Sequence, residues 1–145
     1  MTVTRILKSK GSRDVVTIAP GKTVSDAAAI LSERKIGSLV VSEDGTRASG
    51  ILSERDIVRE IGRRGAACLL EPVEALMTRR LVTCQMSETA DAVLAKMTDG
   101  RFRHMPVVDE ADNMVGLVTL GDVVKYRLSE VTAENQALEG MIMGY

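Results

Sequence analysis

Two copies of one short polar pattern carry the residues best suited to bind a ligand. The copies run from Gly50 to Asp56 and from Gly116 to Asp122, and each reads as glycine, two apolar residues, a hydroxyl residue, two variable residues and aspartate. A carboxylate only accepts hydrogen bonds, so it can hold both hydroxyls of a vicinal diol. If each copy is a strand running into a helix, the free amides at the helix start can bind an anion. The pattern therefore offers a site for a small molecule with hydroxyl and anionic groups.

The same spacing also has a purely structural explanation. Ser53 with Asp56, and Thr119 with Asp122, stand three residues apart. A hydroxyl residue followed three residues later by an acidic one resembles a capping box at a helix N-terminus. Capping and ligand contact can coexist, so the spacing alone leaves both functions open.

A basic cluster provides a second candidate for chemistry. Arg101, Arg103 and His104 directly precede the apolar run Met105 to Val108, which reads as a buried strand. Arginine presents a rigid fork of donors to phosphate oxygens, and histidine adds a donor whose charge depends on pH. A solvated loop is the alternative for any local run of charge. The position just before a buried strand favours a place near a cleft.

The surroundings of the two patterns repeat as well, which indicates a duplicated unit. Each unit reads as strand, helix, strand, strand, helix. Three pairs of matching residues have offsets of 65, 67 and 66 positions, and we interpret the differences as loop insertions. These pairs are Asp26 with Asp91, Val41 with Val108, and Gly50 with Gly116.

In chain order, the expected strands of the first unit are Val15–Ile18, Leu39–Val41 and Ala48–Leu52, and Thr23 is the expected N-cap of its first helix. In the second unit we expect a strand at Leu81–Cys84. The predicted segments are a basic lead-in over 1–14, a first repeat over 15–64, a connector with a short helix over 65–80, a second repeat over 81–128, and a C-terminal helical tail over 129–145.

Composition excludes several classes of function. Nineteen basic and twenty acidic residues give a net charge of −1, and aromatic residues make up 2% of the chain. We therefore expect no nucleic-acid partner, since neither polyanion attraction nor stacking platforms are encoded. No apolar run reaches the length of a membrane span, so we expect a cytoplasmic protein without membrane contact. The isolated Cys68 and Cys84 fit a reducing compartment, and the single His104 argues against a metal site.

Size determines the expected architecture. A repeat of roughly sixty residues barely offsets its chain entropy when it stands alone. We therefore predict an α/β (α+β) fold in which two β-α-β-β-α units pack sheet to sheet with pseudo-twofold symmetry. Symmetry-related clefts should form where the units meet.

With these features the chain resembles a cystathionine-β-synthase (CBS) domain pair, or Bateman module, in a small stand-alone bacterial protein. The resemblance spans about Val15 to about Lys125. It rests on the two glycine-to-aspartate motifs, on the helix starts Asp26-Ala27 and Asp91-Ala92, and on the stretch Gly100 to Val108.

The resemblance implies that adenosine-containing ligands (AMP, ADP, ATP, sometimes NAD or S-adenosylmethionine) bind in the clefts between the repeats. The motif aspartate would hold the ribose, the nearby hydroxyl residue would face ribose or phosphate, and the early strand would contact adenine. The implied first cleft contains Ser53, Asp56, Thr83, Cys84, Arg103, His104, Met105 and Pro106. The implied second cleft contains Thr119, Asp122, Thr17, Ile18, Gly37 and Ser38. Since the second lacks arginine, we expect it to hold an adenosine moiety with little grip on phosphate.

Three classes of function remain. The first is a non-catalytic regulatory module that reports ligand occupancy to an unknown partner protein, most simply as a homodimer. The second is a constitutive scaffold protein with vestigial clefts. The third is a detached piece of an enzyme such as inosine-monophosphate dehydrogenase, which nothing in the sequence favours, because no nucleophile-base pair or glycine-rich phosphate loop is present.

Overall fold

The computed structural model describes residues 2–10 and 15–142. Both halves are built from the expected mixture of helices and strands, and a long helix ends the described part of the chain. The helices are α1 (Val3–Ser9), α2 (Val24–Arg34), α3 (Glu54–Arg64), α4 (Val73–Leu76), α5 (Ala90–Gly100) and α6 (Leu120–Ile142), with a 3-10 helix at Ala66–Leu70. The strands are β1 (Thr17–Ile18), β2 (Ser38–Val41), β3 (Gly50–Ser53), β4 (His104–Val108) and β5 (Met114–Thr119).

Each half contains a small sheet. In the first, β1 pairs with β2 in parallel and β2 pairs with β3 in the antiparallel sense. In the second, β4 and β5 are antiparallel. The strand predicted over Leu81–Cys84 is reduced to one parallel bridge between Cys84 and Val107. Two hydrogen bonds make that bridge, from the Cys84 amide to the Pro106 carbonyl and from the Val108 amide to the Cys84 carbonyl.

The two halves match with a single offset of 66 residues. Val41 lies opposite Gly50 in the first hairpin, and Val107 lies opposite Gly116 in the second. Our pairing of Val41 with Val108 is therefore wrong by one position. No loop insertion separates the copies at this point.

The helices obey the same offset. Thr23 and Thr89, 66 positions apart, are the N-caps of α2 and α5. Asp26 therefore corresponds to Ala92, and its predicted match with Asp91 is wrong by one position. The same helices end at Lys35 and Arg101, both left-handed with φ of 55°.

The described residues form two hydrophobic cores, one for each half. The first core joins the first sheet to α2, α3 and residues of the connector such as Val73. The second core contains Val3, Ile6 and Leu7 of α1 beside Val107 and Val118. The segment described from sequence as a lead-in therefore supplies part of the second core.

In each half, the sheet face that points away from the core is turned toward the other half. Leu39 and Val41 belong to the first core, so the alternation of β2 directs Val40 away from it, yet Val40 is fully buried. Hydrogen bonds also cross between the hairpin loops, from the Met114 amide to the Thr46 carbonyl (2.8 Å) and from the Arg47 guanidinium to the Ala111 carbonyl (2.9 Å). The halves thus pack sheet to sheet, and the polar ends of the strands meet along their common edge.

Candidate functional site

Both glycine-to-aspartate motifs turn a strand directly into a helix. Ser53 ends β3, and its backbone amide (2.9 Å) and hydroxyl (3.0 Å) donate to Oδ2 of Asp56. The Asp56 amide in turn donates to Ser53 Oγ, which completes a capping box. The structural explanation for this spacing is therefore correct, and it leaves the Asp56 carboxylate fixed and buried at the helix start.

The second motif has the same local geometry. The Thr119 amide donates to Oδ2 of Asp122 at 2.9 Å, and the Asp122 amide donates to Thr119 Oγ1 at 3.1 Å. Duplication has therefore preserved the motif's shape in both halves.

The two aspartates differ in the cation that neutralises them. Asp56 Oδ1 accepts from Arg59, one turn along the same helix, at 2.6 Å. Asp122 Oδ2 accepts from Lys10, which comes from the end of α1, at 2.8 Å. Burial pushes the pKa of Asp122 upward, but the hydrogen bonds from Lys10 and Thr119 outweigh it and hold the pKa below its ordinary value.

The first motif opens onto a cavity of about 430 Å³ between the halves, which we call the arginine cleft. Its volume lies in the range of small-molecule sites. Five arginines contribute to its walls, so it is strongly cationic apart from Asp56. The lining residues are Ile51, Ser53, Arg55, Asp56, Arg59, Thr78, Arg80, Leu81, Val82, Gly100, Arg101, Phe102, Arg103 and His104.

Four residues expected in this cleft do not line it. Cys84 and Met105 are buried in the second core, because Cys84 forms the bridge to β4 and Met105 alternates with His104. Pro106 is buried along the strand beyond His104, and Thr83 is absent from the lining. Leu81 and Val82, two residues earlier in the chain, form the wall that was expected at Thr83 and Cys84.

A smaller cavity of about 330 Å³ lies at the equivalent place near the second motif, and we call it the Lys10 cleft. It collects the expected Thr119, Gly37 and Ser38, and its other walls are mostly apolar. The lining residues are Leu7, Lys10, Val15, Val16, Ile36, Gly37, Ser38, His104, Leu117 and Thr119.

The remaining residues expected in the Lys10 cleft are displaced from its walls. Ile18 belongs to the first core, and Thr17 lies beside it in β1. Val15 and Val16 form the wall instead, which is the same shift of two residues seen in the other half. Asp122 does not line the cavity, because the Lys10 ammonium lies against its carboxylate.

His104 lies between the two clefts and contributes to both. It also lines a crevice of about 430 Å³ at the starts of α3 and α6. Burial lowers the pKa of His104, and the nearby carboxylates of Asp56 and Glu54 only partly compensate. The imidazole is therefore neutral at physiological pH and can donate from one nitrogen while accepting at the other.

Neither cysteine offers reactive chemistry. Cys68 and Cys84 are free and buried. Burial, reinforced by the charge of Glu88, raises the pKa of Cys84 to about 12, so its thiol stays protonated. Within the described residues, no group of histidine, cysteine and acidic side chains is arranged to hold a metal ion. Over that same part of the chain, no helix has the length and apolar character needed to cross a membrane.

Comparison with known families agrees with this geometry. The family model for the CBS domain matches the chain twice, over residues 7–63 and 73–129. The chain belongs to the CBS-domain family. The paired matches correspond to the two halves of the fold, so the arginine and Lys10 clefts lie between two CBS repeats.

Solved structures of CBS pairs have the same fold. A CBS-domain containing protein from Agrobacterium tumefaciens is 40% identical, with a TM-score of 0.82 over 88% of this chain and 99% of that one. The CBS domain pair of protein MJ0100, 26% identical with a TM-score of 0.78 over 90% of this chain and 98% of that one, was solved with 5'-methylthioadenosine and S-adenosyl-L-methionine. A CBS domain protein from Pyrobaculum aerophilum, 22% identical with a TM-score of 0.74 over 84% of this chain and 89% of that one, was solved with AMP.

Sequence reasoning missed the lysine and several arginines of this CBS pair. Lys10 had no local motif, because its partner Asp122 is more than a hundred positions away in the chain. Arg55 and Arg59 had a usable signal, since they flank Asp56 within the first turns of its helix. Arg80 precedes the wall residues Leu81 and Val82, which became recognisable only once the register was known.

Proposed function

We propose that this CBS pair is a non-catalytic regulatory module that binds an adenine nucleotide (AMP, ADP, ATP or NAD) in the arginine cleft and relays its occupancy to a partner protein. One observation carries the proposal: the cavity draws Ser53 and Asp56 from the first repeat and Arg103 and His104 from the second. A ligand that binds there must contact both repeats.

The side chains of the arginine cleft suit the parts of a nucleotide. The Asp56 carboxylate has four acceptor sites for three observed donor contacts, from the Ser53 amide and hydroxyl and from Arg59. It therefore retains capacity for a ribose hydroxyl. Arg59 is 64% exposed and can turn aside at little cost. Arg101 and Arg103 of the second repeat also line the cleft and offer forked donors to phosphate oxygens.

The regulatory part of the proposal follows from the ligand's position between the repeats. A ligand shifts a conformational equilibrium only when it binds the two states with different affinities. A nucleotide held at Asp56 by one repeat and at Arg103 by the other favours the arrangement in which both groups reach it. Its binding energy can thus be converted into a change that a partner protein detects.

The Lys10 cleft fits a less charged ligand. Its walls are mainly aliphatic, and its one lysine already forms an ion pair with Asp122. We assign it an adenosine moiety without a strong phosphate contact. The two sites would then differ in the number of phosphates they prefer.

Calorimetry on Arg103→Ala tests the assignment of the arginine cleft. A hydrogen bond to a charged group contributes about 1.5–3 kcal/mol, so the variant should bind AMP or ATP about 10-fold to 100-fold more weakly. Arg63→Ala is the matched control, because Arg63 is an exposed arginine of α3 outside the cleft lining. Equal affinity for AMP in wild type and Arg103→Ala, with an intact fold, would contradict the assignment.

A constitutive scaffold is the competing function, and a thermal-shift panel separates the two. A ligand at a hundred times its dissociation constant stabilises the folded protein by about 2.7 kcal/mol. The panel should contain AMP, ADP, ATP, NAD, S-adenosylmethionine and 5'-methylthioadenosine. If none of them raises the melting temperature, the scaffold function is favoured.

We further propose that the protein is a homodimer joined by the outer face of α6. Beyond Glu130 this helix lies outside both cores, and an isolated segment of about twelve residues is marginally stable in water. Five of its exposed apolar residues, together with one asparagine, alternate at spacings of four and three, as in the seam of a coiled coil. The seam residues are Val124, Leu128, Val131, Leu138 and Ile142, with Asn135 at the one polar position.

Light scattering tests the proposed dimer. Leu138 is 56% exposed, so Leu138→Glu should leave the fold intact and place a charge in the middle of the seam. We expect the mass to fall from that of a dimer to that of a monomer. Ala137→Glu, one position off the seam, is the control and should remain dimeric. A monomeric wild type would contradict the proposal.

A further inference from the structure

Lys10 links the end of α1 to β5 and to the start of α6. Its ammonium donates to the Leu117 carbonyl at 2.9 Å and to Asp122 Oδ2 at 2.8 Å. The side chains of Lys10 and Asp122 are only 30% and 23% exposed. Salt screens a partly buried ion pair less than an exposed one, so the attraction between Lys10 and Asp122 persists in salt better than that of a surface pair.

The helix that carries Lys10 is firmly held. Val3, Ile6 and Leu7 are fully buried in the second core. At the other end of α1, the Val3 amide donates to the Glu88 carbonyl at 2.9 Å and Thr4 Oγ1 donates to the Met86 carbonyl at 2.9 Å. Lys10 can therefore leave Asp122 by rotating its side chain while α1 stays in place.

Lys10 lines the cavity and Asp122 does not, so the ammonium lies between the cleft and the carboxylate. Oδ2 of Asp122 receives both the Thr119 amide and Lys10. An ammonium has three donors and no acceptor, so it cannot accept a hydrogen bond from a ribose hydroxyl as the carboxylate behind it could. In the arginine cleft, by contrast, Asp56 itself lines the cavity, and its partner Arg59 is largely exposed.

We propose that Lys10 is an internal competitor for Asp122, so that the Lys10 cleft admits an adenosine moiety only after the Lys10 side chain swings away. This inference rests on the proposed use of that cleft for adenosine. When only a fraction of molecules is competent to bind, the apparent affinity falls by that fraction. The chain's own N-terminal helix thereby sets the concentration at which the second site fills.

Titration of adenosine into Lys10→Met tests the competition. Adenosine has no phosphate, so removing the Lys10 ammonium cannot weaken adenosine binding by taking away an attraction between charges. We expect the second equivalent to bind on the order of fivefold more tightly than in wild type, which corresponds to about 1 kcal/mol. Lys8→Met is the matched control, because Lys8 is an exposed lysine on the same helix. Unchanged or weaker binding of the second equivalent, or none in either protein, would overturn the inference.

Chemical labelling gives a second measurement that does not depend on the variant. An amine held against a carboxylate and a carbonyl reacts slowly with an acetylating reagent. Adenosine should therefore raise the labelling of Lys10, measured by mass spectrometry, while Lys8 stays constant. No change at Lys10 under saturating adenosine would contradict displacement.

The two proposals fail separately. If Arg103→Ala weakens AMP binding but Lys10→Met does not tighten adenosine binding, only the competition is wrong. If Lys10→Met tightens adenosine binding while AMP affinity is insensitive to Arg103, the competition stands and the arginine-cleft assignment is wrong.

Discussion

The two CBS repeats hold their motif aspartates in the same backbone geometry but surround them with opposite chemistry. Asp56 faces a cleft with five arginines, and its own cation comes from the same helix. Asp122 is paired with Lys10, which follows α1 and is far from Asp122 in the sequence, and the adjoining cleft is mostly aliphatic. The constant offset of 66 shows that backbone geometry survived duplication while the side chains around it changed.

The contrast depends on a few positions just before and at the start of strands β2 and β4. Arg103 corresponds to Gly37, and His104 corresponds to Ser38, because His104 pairs with Thr119 as Ser38 pairs with Ser53. This register sets an arginine of the second repeat against a glycine of the first.

The largest effect should come from breaking the second repeat's dependence on α1. Leu7 is 1% exposed in the second core, so Leu7→Ala should lower the free energy of unfolding by about 3 kcal/mol through lost burial and a cavity. Urea denaturation measures this loss. Arg5→Ala, an exposed change on the same helix, should have little effect. A loss below about 1 kcal/mol for Leu7→Ala would show that α1 is dispensable to the core.

Replacing the motif glycine by alanine should cost more stability in the first repeat than in the second. A Cβ at Gly50 would lie 2.9 Å from the Thr78 backbone carbonyl and collide with Met77, whereas the three atoms nearest to one at Gly116 all belong to the Leu7 side chain, the closest at 2.8 Å. We expect overpacking to cost about 2–3 kcal/mol in Gly50→Ala and about 1 kcal/mol in Gly116→Ala.

Gly62→Ala is the control for that pair of variants. Gly62 lies inside α3 with no atom near its would-be Cβ, so alanine should stabilise the helix by about 0.5–1 kcal/mol. Urea denaturation of all three variants gives the comparison. Equal losses for Gly50→Ala and Gly116→Ala would contradict the difference between the repeats.

An arginine at position 37 should make the Lys10 cleft more like the arginine cleft in its preference for a phosphate group. A Cβ at Gly37 would lie 3.6 Å from His104 Nε2, an ordinary contact, so Gly37→Arg is sterically allowed at its base. One new charge-assisted bond, about 1.5 kcal/mol, should raise the affinity of the Lys10 cleft for AMP about tenfold over its affinity for adenosine. Calorimetry with both ligands measures the ratio, and Gly37→Gln controls for side-chain size. An unchanged ratio would show that position 37 does not govern phosphate preference.

The smallest effect concerns pH. Because burial lowers the pKa of His104, the unfolded chain takes up a proton at this residue before the folded protein does. His104 therefore contributes its full stability above its ordinary pKa, and this contribution is lost as pH falls below that value. His104→Gln should flatten the decline in unfolding free energy between about pH 7 and pH 5.5. Equal slopes in the variant and wild type would contradict the lowered pKa.

Much of the architecture was readable because its signals are local. The Thr23 N-cap, the helix start at Ser53 and the long final helix all follow from spacing within a few residues, and each is found where expected. The family resemblance was confirmed by the two CBS matches.

The errors arose where contacts cross the chain. The Asp-Ala dipeptides at 26 and 91 gave a false alignment, whereas the hydroxyl N-caps Thr23 and Thr89 gave the true one. The apolar residues Val3, Ile6 and Leu7 do have helical spacing, but α1 is too short for spacing alone to reveal it. The role of Lys10 depended on that helix, so it could not be read from the sequence either.

The packing of α1 also has a consequence for the order in which the protein folds during synthesis. The first repeat's core is complete once residues up to Met77 have emerged, so it can close early. Val3, Ile6 and Leu7 are synthesised before that repeat, yet their partners include Val118 and Val123 near the end of the second repeat. A nascent chain must therefore keep this apolar segment unpaired while the repeat that follows it in the sequence has already folded.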